Sequence, residues 1–236
     1  MYFAFKNNQD KYEIGLMKTH IKKGDTVIDV GANIGFYSGM FSDLVGVEGK
    51  VYAFEPDNYN YRRLEETIKS YANIIVKKAA VSSSSGQLEF YISADKNVDH
   101  RAYAPDEFAT KYTVDAISLD EFPGKETKVD ILKVDVQGYE MQVYQGAENL
   151  IDANLGIKIF SEFWPYGLLK AGSDKETFFN FFTAKGFSIF LVKDDKQTRI
   201  TVESLKDFPV VDEEYFNVLI YRVGAGFTPT PNPGRG

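Results

Sequence analysis

The sequence predicts an α/β protein with a mostly parallel, doubly wound sheet, and three observations carry that reading. Short β-rich runs alternate with helical patterns along most of the chain. The first run, Val27 to Val30, enters a glycine turn, Gly31-Ala32-Asn33-Ile34-Gly35, that leads into a helical segment. Glu55 closes the second run, about twenty residues beyond that turn. Such a turn lets backbone approach a ligand with no Cβ in the way. An acid at the tip of the next strand accepts from both ribose hydroxyls of a nucleoside-bearing cofactor.

The elements follow in order. Residues 10–22 read as a helix, with Ile14, Met17 and Ile21 on one side. After the strand Val27–Val30, a helix is expected from about Ile34 to Leu44, broken by Gly46 and Gly49. The second strand is Val51–Glu55, and Pro56-Asp57 reads as the start of a helix to about Ser70 that buries Tyr61, Leu64 and Ile68. The third strand, Ile74–Lys77, runs into Ala79 to Ser82 and a serine-rich turn. Leu88–Ile92 alternates like a strand, Ser93–Thr113 reads as a long functional loop, and Val114–Leu119 as another short strand. Val129–Val136 is near-continuously apolar except at Lys133, as a parallel strand covered on both faces should be. A helix is expected from Tyr139 to Ile151, then a strand Ile157–Ser161 and a helix Lys175–Lys185 whose phenylalanines are core. Strands Phe187–Val192 and Tyr215–Val223 follow, joined by the acidic segment Thr201–Glu214 instead of a helix. That predicts one antiparallel strand at or near a sheet edge. Residues 1–223 read as one domain, and 224–236, with three prolines, as a disordered tail.

Composition narrows the function. Hydrophobic residues make up 44% and aromatic residues 15% of 236, enough for a sizeable core. The net charge of −7 gives no basic footprint for nucleic acid. Cysteine is absent, which removes disulfides, a thiolate nucleophile and sulfur-ligated zinc. His20 and His100 are too few for a histidine-rich metal site, and no metal is expected, although carboxylates alone leave one open. No signal-peptide pattern and no membrane-length apolar run occur, so the expectation is a cytoplasmic protein with neither membrane nor nucleic-acid partner.

The turn discriminates between cofactors. Dinucleotide folds use G-x-G-x-x-G so that a pyrophosphate reaches the helix N-terminus. Here the middle glycine is missing and Asn33 would crowd a pyrophosphate. S-adenosylmethionine carries no phosphate, and a looser polar turn suits it. The alternative is a strand-helix turn with no ligand, with Glu55 as a helix-start residue.

A second constellation ends the strand Val129–Val136. Lys133 and Asp135 share one sheet face, Gly138 permits a sharp exit, and Glu140 opens the next helix. Lys133 needs a partner there, Asp135 or Glu140, because an unpaired buried charge is costly. The structural alternative is capping, with Asp135 or Gln137 at the helix start and Glu140 favourable to its dipole. After the fifth parallel strand, Glu162, Trp164 and Tyr166 read either as acceptor-pocket lining or as rim packing. In the long loop, His100 and Arg101 offer a base and an anion clamp, or a solvated pair.

Taken together, VIDVGANIGFYS, FEPDNYNYRRL, AAVSSSSGQLEFY, the triplet DHR, ISLDEF and ILKVDVQGYEMQVYQGA resemble the FkbM-type methyltransferases, across roughly residues 10–190. The resemblance implies the Rossmann-like class I fold of S-adenosylmethionine-dependent methyltransferases, with seven strands ordered 3-2-1-4-5-7-6 and strand seven antiparallel. It implies cofactor contacts at Gly31, Asn33, Gly35 and Glu55, and the neighbouring strand tips add Asp29, Pro56, Ala80 and Asp135 as expected contacts. A hydroxyl acceptor benefits from a base near it, for which Asp135 is the first candidate and His100 the second, with Lys133 and Glu140 beside them. Acceptor contacts are expected from Gln137, Glu162, Trp164, Tyr166 and Arg101. The family motif K-x-D-x-E-G-x-E is matched except that Gln137 replaces a glutamate. The expected reaction is O-methylation of a sugar, polysaccharide or natural product, leaving S-adenosylhomocysteine. The rival readings are a nicotinamide-dependent oxidoreductase and a cofactor-binding module without catalysis.

Overall fold

The computed structural model describes residues 10–92, 102–103, 110–193, 196–212 and 214–224. In chain order its elements are α1 (Lys11–His20), β1 (Thr26–Val30), α2 (Phe36–Val45), β2 (Lys50–Phe54), α3 (Asn58–Ile68) and β3 (Ile74–Lys77). Then come β4 (Ala80–Val81), β5 (Gly86–Ile92), β6 (Thr110–Ile117), β7 (Ile131–Val134), α4 (Glu140–Gln145), α5 (Glu148–Ala153) and β8 (Lys158–Phe163). The remaining elements are α6 (Pro165–Lys170), α7 (Lys175–Ala184), β9 (Ser188–Lys193), β10 (Lys196–Arg199) and β11 (Phe216–Tyr221).

The apolar runs become a central sheet of eight strands in the order β10-β9-β11-β8-β7-β1-β2-β3. From β3 to β8 every pairing is parallel. β11 runs antiparallel between β8 and β9. The order is the expected seven with β10 added as a hairpin on β9. β10 escaped the sequence reading because KQTR is polar and its burial is slight. Two strands run against the rest, β11 third from the edge and β10 at the edge itself, so the antiparallel strand expected at or near an edge is present and has a second beside it. Core packs on both faces of β11, against Val218 and Ile220 on one side and Leu219 and Tyr221 on the other, so VLIY in it is wholly buried.

Helix boundaries are set by local chemistry. Asp57 caps α3 by accepting from the amides of Tyr59 and Asn60 at 2.9 and 2.8 Å, so the helix begins one residue later than Pro56-Asp57 suggested. The expected helix Tyr139–Ile151 is two, α4 and α5, parted at Gly146. There the backbone of Ser82 passes so close that any side chain at Gly146 would collide with it. The carbonyl of Gly146 turns to Ser118 Oγ at 2.8 Å.

The main core lies between the sheet and α4, α5 and α7. Tyr144, Phe163, Phe178 and Phe182 are all within 1% of full burial. Their rings meet at tilted or edge-on angles, for example Tyr144 and Phe182 at 4.8 Å and 76°. Each such ring contributes roughly 1.5–3 kcal/mol by leaving water. On the opposite face Met17 of α1, Phe41 of α2 and Phe160 of β8 form the second layer. The long connection from β3 to β7 holds a small three-stranded sheet, β4-β6-β5. β6 occupies the end of the segment expected as irregular, and residues 93–101 and 104–109 of that segment lie outside the described residues.

The chain leaves β1 toward β2 on one side, while β7 lies on the other. This reversal of winding opens a crevice at the carboxyl ends of β1 and β7.

Candidate functional site

A cleft of about 540 Å³ occupies that crevice. Its floor is the turn after β1. Gly31 has φ +79, and a Cβ on it would collide with the carbonyl oxygen of Asp135 at the end of β7. The two strand tips that build the cleft can thus approach only over a glycine. Gly31→Ala is expected to cost about 2 kcal/mol or more, from left-handed strain plus the displaced tip. Urea denaturation checks this, and an unchanged midpoint would show that the tips separate freely.

Asn33, at φ +51, also lies in the left-handed region. Its amide donates to Glu55 Oε2 at 2.8 Å, and its own Oδ1 accepts from the Ile34 amide at 2.8 Å. Gly35 donates to the Ala32 carbonyl at 2.9 Å. The turn amides a pyrophosphate would need are therefore engaged inside the turn. Glu55 Oε1 also accepts from the Asp57 amide at 2.9 Å. Burial pushes the Glu55 carboxyl up to about 7, although the Asp57 and Asn33 amides pull the other way. A carboxylate has about four lone-pair directions, so two stay available for ligand hydroxyls.

The opposite wall is the tip of β7. Lys133 sits deep in it, 3.4 Å from Asp135 Oδ2 and 3.7 Å from Asp29 Oδ1, with its ammonium 4.7 Å from the Tyr37 ring centre. Burial disfavours the ammonium, and the Asp135 and Asp29 carboxylates overcome it, holding its pKa above the ordinary lysine range. Asp135 is thus one partner the sequence foresaw for Lys133. Asp29 is the other, directly opposite it in the β1–β7 register. Tyr37 donates from its hydroxyl to Asp10 Oδ2 at 2.7 Å, and burial with the nearby Glu13 and Asp10 keeps that phenol protonated. Gln137 Nε2 lies 3.2 Å from Asp135 Oδ1.

Of the expected contacts, Gly31, Asn33, Glu55, Pro56, Ala80, Lys133, Asp135, Gln137 and Glu162 line the cleft. Five others do not. Asp29 is fully buried beneath it, bonded to Ser38 Oγ at 2.6 Å, and faces Lys133 rather than the opening. Gly35 faces Leu64 of α3, where it allows α2 and α3 to pack. Glu140 is buried, with Oε1 accepting from the amides of Val136 and Gly138 at 3.2 and 3.1 Å. Glu140 stands in the first turn of α4, but its carboxylate serves amides of the loop before the helix, and neither Asp135 nor Gln137 caps the helix. Trp164 is 4% exposed, with its indole donating to the Asp212 carbonyl at 3.1 Å. Tyr166 packs at 5.8 Å from that ring, and neither residue lines the cleft. His100, Arg101 and the tail from residue 225 lie outside the described residues.

The cleft also takes Asp10 and Glu13 from α1 and its lead-in, Phe36 and Tyr37 from α2, Asn60, Phe90, Tyr139, Tyr215 and Asn217. None of these was expected from sequence. Asn217 pairs in register with Glu162, because β11 is antiparallel and brings its beginning, not its end, to the carboxyl side of the sheet. Among the described residues no helix is long and apolar enough to cross a membrane.

Comparison with known proteins agrees with this geometry. The chain matches the methyltransferase FkbM domain over residues 29–208. Hexuronic acid methyltransferase AglP of Haloferax volcanii is 31% identical over 144 residues, which cover 59% of this chain and 57% of that protein. The match thus spans little more than half of that relative's length. Among solved structures, methyltransferase FkbM from Methylobacillus flagellatus KT superposes with a TM-score of 0.54 at 16% identity, over 84% of this chain and 43% of that one. Aeropyrum pernix fibrillarin, in complex with natively bound S-adenosyl-L-methionine, gives 0.52 at 15% identity, over 89% and 74%. At these identities the superpositions speak for the fold, that of the class I methyltransferases.

Proposed function

The chain belongs to the FkbM methyltransferase domain family, and from that premise we propose that it transfers a methyl group from S-adenosylmethionine to a hydroxyl of a sugar or a related small polar acceptor. The observation that carries this reading is one cleft with Glu55 on one side and Asp135 on the other. The residues fit the cofactor. Glu55 keeps lone pairs for the ribose hydroxyls. Pro56, Ala80, Val81 and Phe90 give the wall beyond it an apolar lining suited to a purine. The volume falls within the roughly 300–1,000 Å³ of small-molecule sites. Against a dinucleotide stand the engaged amides of Asn33, Ile34 and Gly35.

S-adenosylmethionine, when bound, supplies a methyl group on a sulfonium, which is already activated for displacement. The chain's task is alignment and proton removal. Glu55 anchors the nucleoside end, and aligning the reactants in this way is worth several kcal/mol of the barrier. Asp135 accepts a hydrogen bond from the acceptor hydroxyl and takes its proton as the oxygen gains the methyl group. Lys133 stands 3.4 Å from Asp135 and balances its charge. The carboxylates and amides of Asp135, Gln137, Glu162 and Asn217, with Tyr37, Tyr139 and Tyr215, offer hydroxyl acceptors and flat apolar faces. That combination suits a polyhydroxylated ring. The named activity of the Haloferax relative supports a sugar acceptor.

The test incubates the protein with methyl-labelled S-adenosylmethionine and a panel of hydroxylated monosaccharides, glycans and natural products, with RNA as a separate arm. Label in an ether on a sugar is the expected result. Label on RNA only, or on no hydroxyl compound, would contradict the assignment.

A further inference from the structure

Gln137 holds φ +56, a conformation rare for a glutamine. It stands just past β7, and the peptide groups on either side of it are fixed from within. The Val136 and Gly138 amides both donate to Oε1 of Glu140, which is fully buried on α4 and absent from the cleft. Backbone strain of this kind, about 1–3 kcal/mol, persists where the surroundings over-determine it and concentrates at working sites. What it achieves here is the direction of one side chain. Gln137 Nε2 lies 3.2 Å from Asp135 Oδ1 and 3.4 and 3.5 Å from the two carboxylate oxygens of Glu162. An amide nitrogen carries two hydrogens, one for each carboxylate. The two acids end neighbouring parallel strands, β7 and β8, and both line the cleft.

We propose that Gln137 is a positioning residue whose amide links Asp135 to Glu162, fixing the two carboxylates as one rest for the acceptor's hydroxyls. The functional part rests on the methyl-transfer reading of the cleft, while the link itself does not. The chemistry explains why an amide serves. A glutamate here would bring a third carboxylate to the same distances from the other two. Like charges that close cannot all stay ionised; they share a proton or hold a cation. Among the described residues no three His, Asp or Glu side chains are arranged to hold a metal ion. Gln137→Glu would supply the third. The amide joins the pair without adding a third negative charge. Glu140 is then a support for the link, acting through the backbone of residues 136–138.

The link is tested without any acceptor, on the full chain labelled with 15N. The Gln137 side-chain amide resonances are identified by their loss in Gln137→Leu. Both hydrogens are expected well away from the positions of a solvent-exposed glutamine. They should move as the pH crosses the carboxylate range, and relax toward those positions in Glu162→Ala. Resonances at the exposed position that ignore pH would overturn the proposal. The functional arm uses an acceptor found by the labelled-methyl screen. Gln137→Leu should lower kcat/KM for that acceptor by about tenfold or more, the scale of one lost hydrogen bond to a charged group, with the KM for S-adenosylmethionine little changed. Gln137→Glu, which restores the residue of the family motif, should shift the pH profile of turnover, because a glutamic acid donates a hydrogen only when protonated. A Gln137→Glu enzyme with an unshifted pH profile and full neutral rate would contradict the linking role. Calorimetry with S-adenosylhomocysteine on the same samples separates the two readings: no binding by the wild-type chain would overturn methyl transfer, and the amide titration would still decide the link.

Discussion

Asp135→Asn is expected to lower single-turnover methyl transfer by about 10²-fold or more, the usual loss when a general base is removed. The backbone at this position is anchored independently of the side chain, since the Asp135 amide donates to the Val30 carbonyl at 3.1 Å. Lys133 keeps Asp29 as an ionic partner at 3.7 Å and the Tyr37 ring beneath it, so the buried ammonium is not orphaned. The fold should therefore hold, and affinity for S-adenosylhomocysteine should be largely kept. An asparagine can hold a hydroxyl in place, but it takes up no proton near neutral pH. Comparing the two rates at saturating cofactor isolates proton removal from positioning. Near-normal turnover would remove Asp135 from the base role. A collapse of cofactor affinity with turnover intact would move it to the cofactor instead.

Glu55 commands the second large effect. Glu55→Ala should weaken S-adenosylhomocysteine by about 10²-fold, since hydrogen bonds to a charged acceptor are worth about 1.5–3 kcal/mol each and water restores part of the loss. The carboxylate also ties the turn amide of Asn33 to the exit of β2, so alanine loosens the turn as well. Glu55→Gln, which keeps one carbonyl oxygen, separates these contributions. The wild-type protein should show a pH dependence that both variants lose. Burial raises the Glu55 pKa from 4.5 to about 7 in the folded chain. Its contribution to folding stability is therefore full below 4.5 and is lost as the pH rises through about 7. Ligand binding has the opposite sign. Ribose hydroxyls donate best to the ionised form, so affinity should climb with pH, by at most about tenfold per unit, and level off above about 7. Glu140 is likewise pushed up to about 7 by burial, but it lies outside the cleft and should affect stability rather than ligand affinity. A flat affinity profile in the wild type would show that Glu55 does not meet the ligand.

The parallel half of the fold was legible because its signals are local. Val27 to Val30, Val51 to Phe54 and Ile131 to Val134 are apolar runs closed by a glycine or an acid, and they became adjacent strands. Glu55 and Asp135 were legible for the same reason, since each stands at the carboxyl end of its strand. What escaped depends on pairing between distant segments. Asn217 and Tyr215 reach the cleft because β11 enters antiparallel between β8 and β9, so its first residues arrive where other strands end. Asp10 and Glu13 reach it only once α1 has packed its Ile14 and Met17 on the sheet. Asp29 and Glu140 are the reverse case. Both sit in motif positions, yet their carboxylates turn inward, to Lys133 and to two backbone amides. Trp164 and Tyr166 show why an aromatic after a strand tip is an ambiguous signal. The indole found a carbonyl partner at Asp212, in a segment that no local pattern placed beside it.

The most direct measurement is calorimetric titration of the whole chain with S-adenosylhomocysteine and, separately, with NAD. One-to-one binding of S-adenosylhomocysteine is expected in the micromolar range or tighter, about −8 kcal/mol, with no NAD binding up to about 1 mM. Tight NAD binding with no signal from S-adenosylhomocysteine would contradict it.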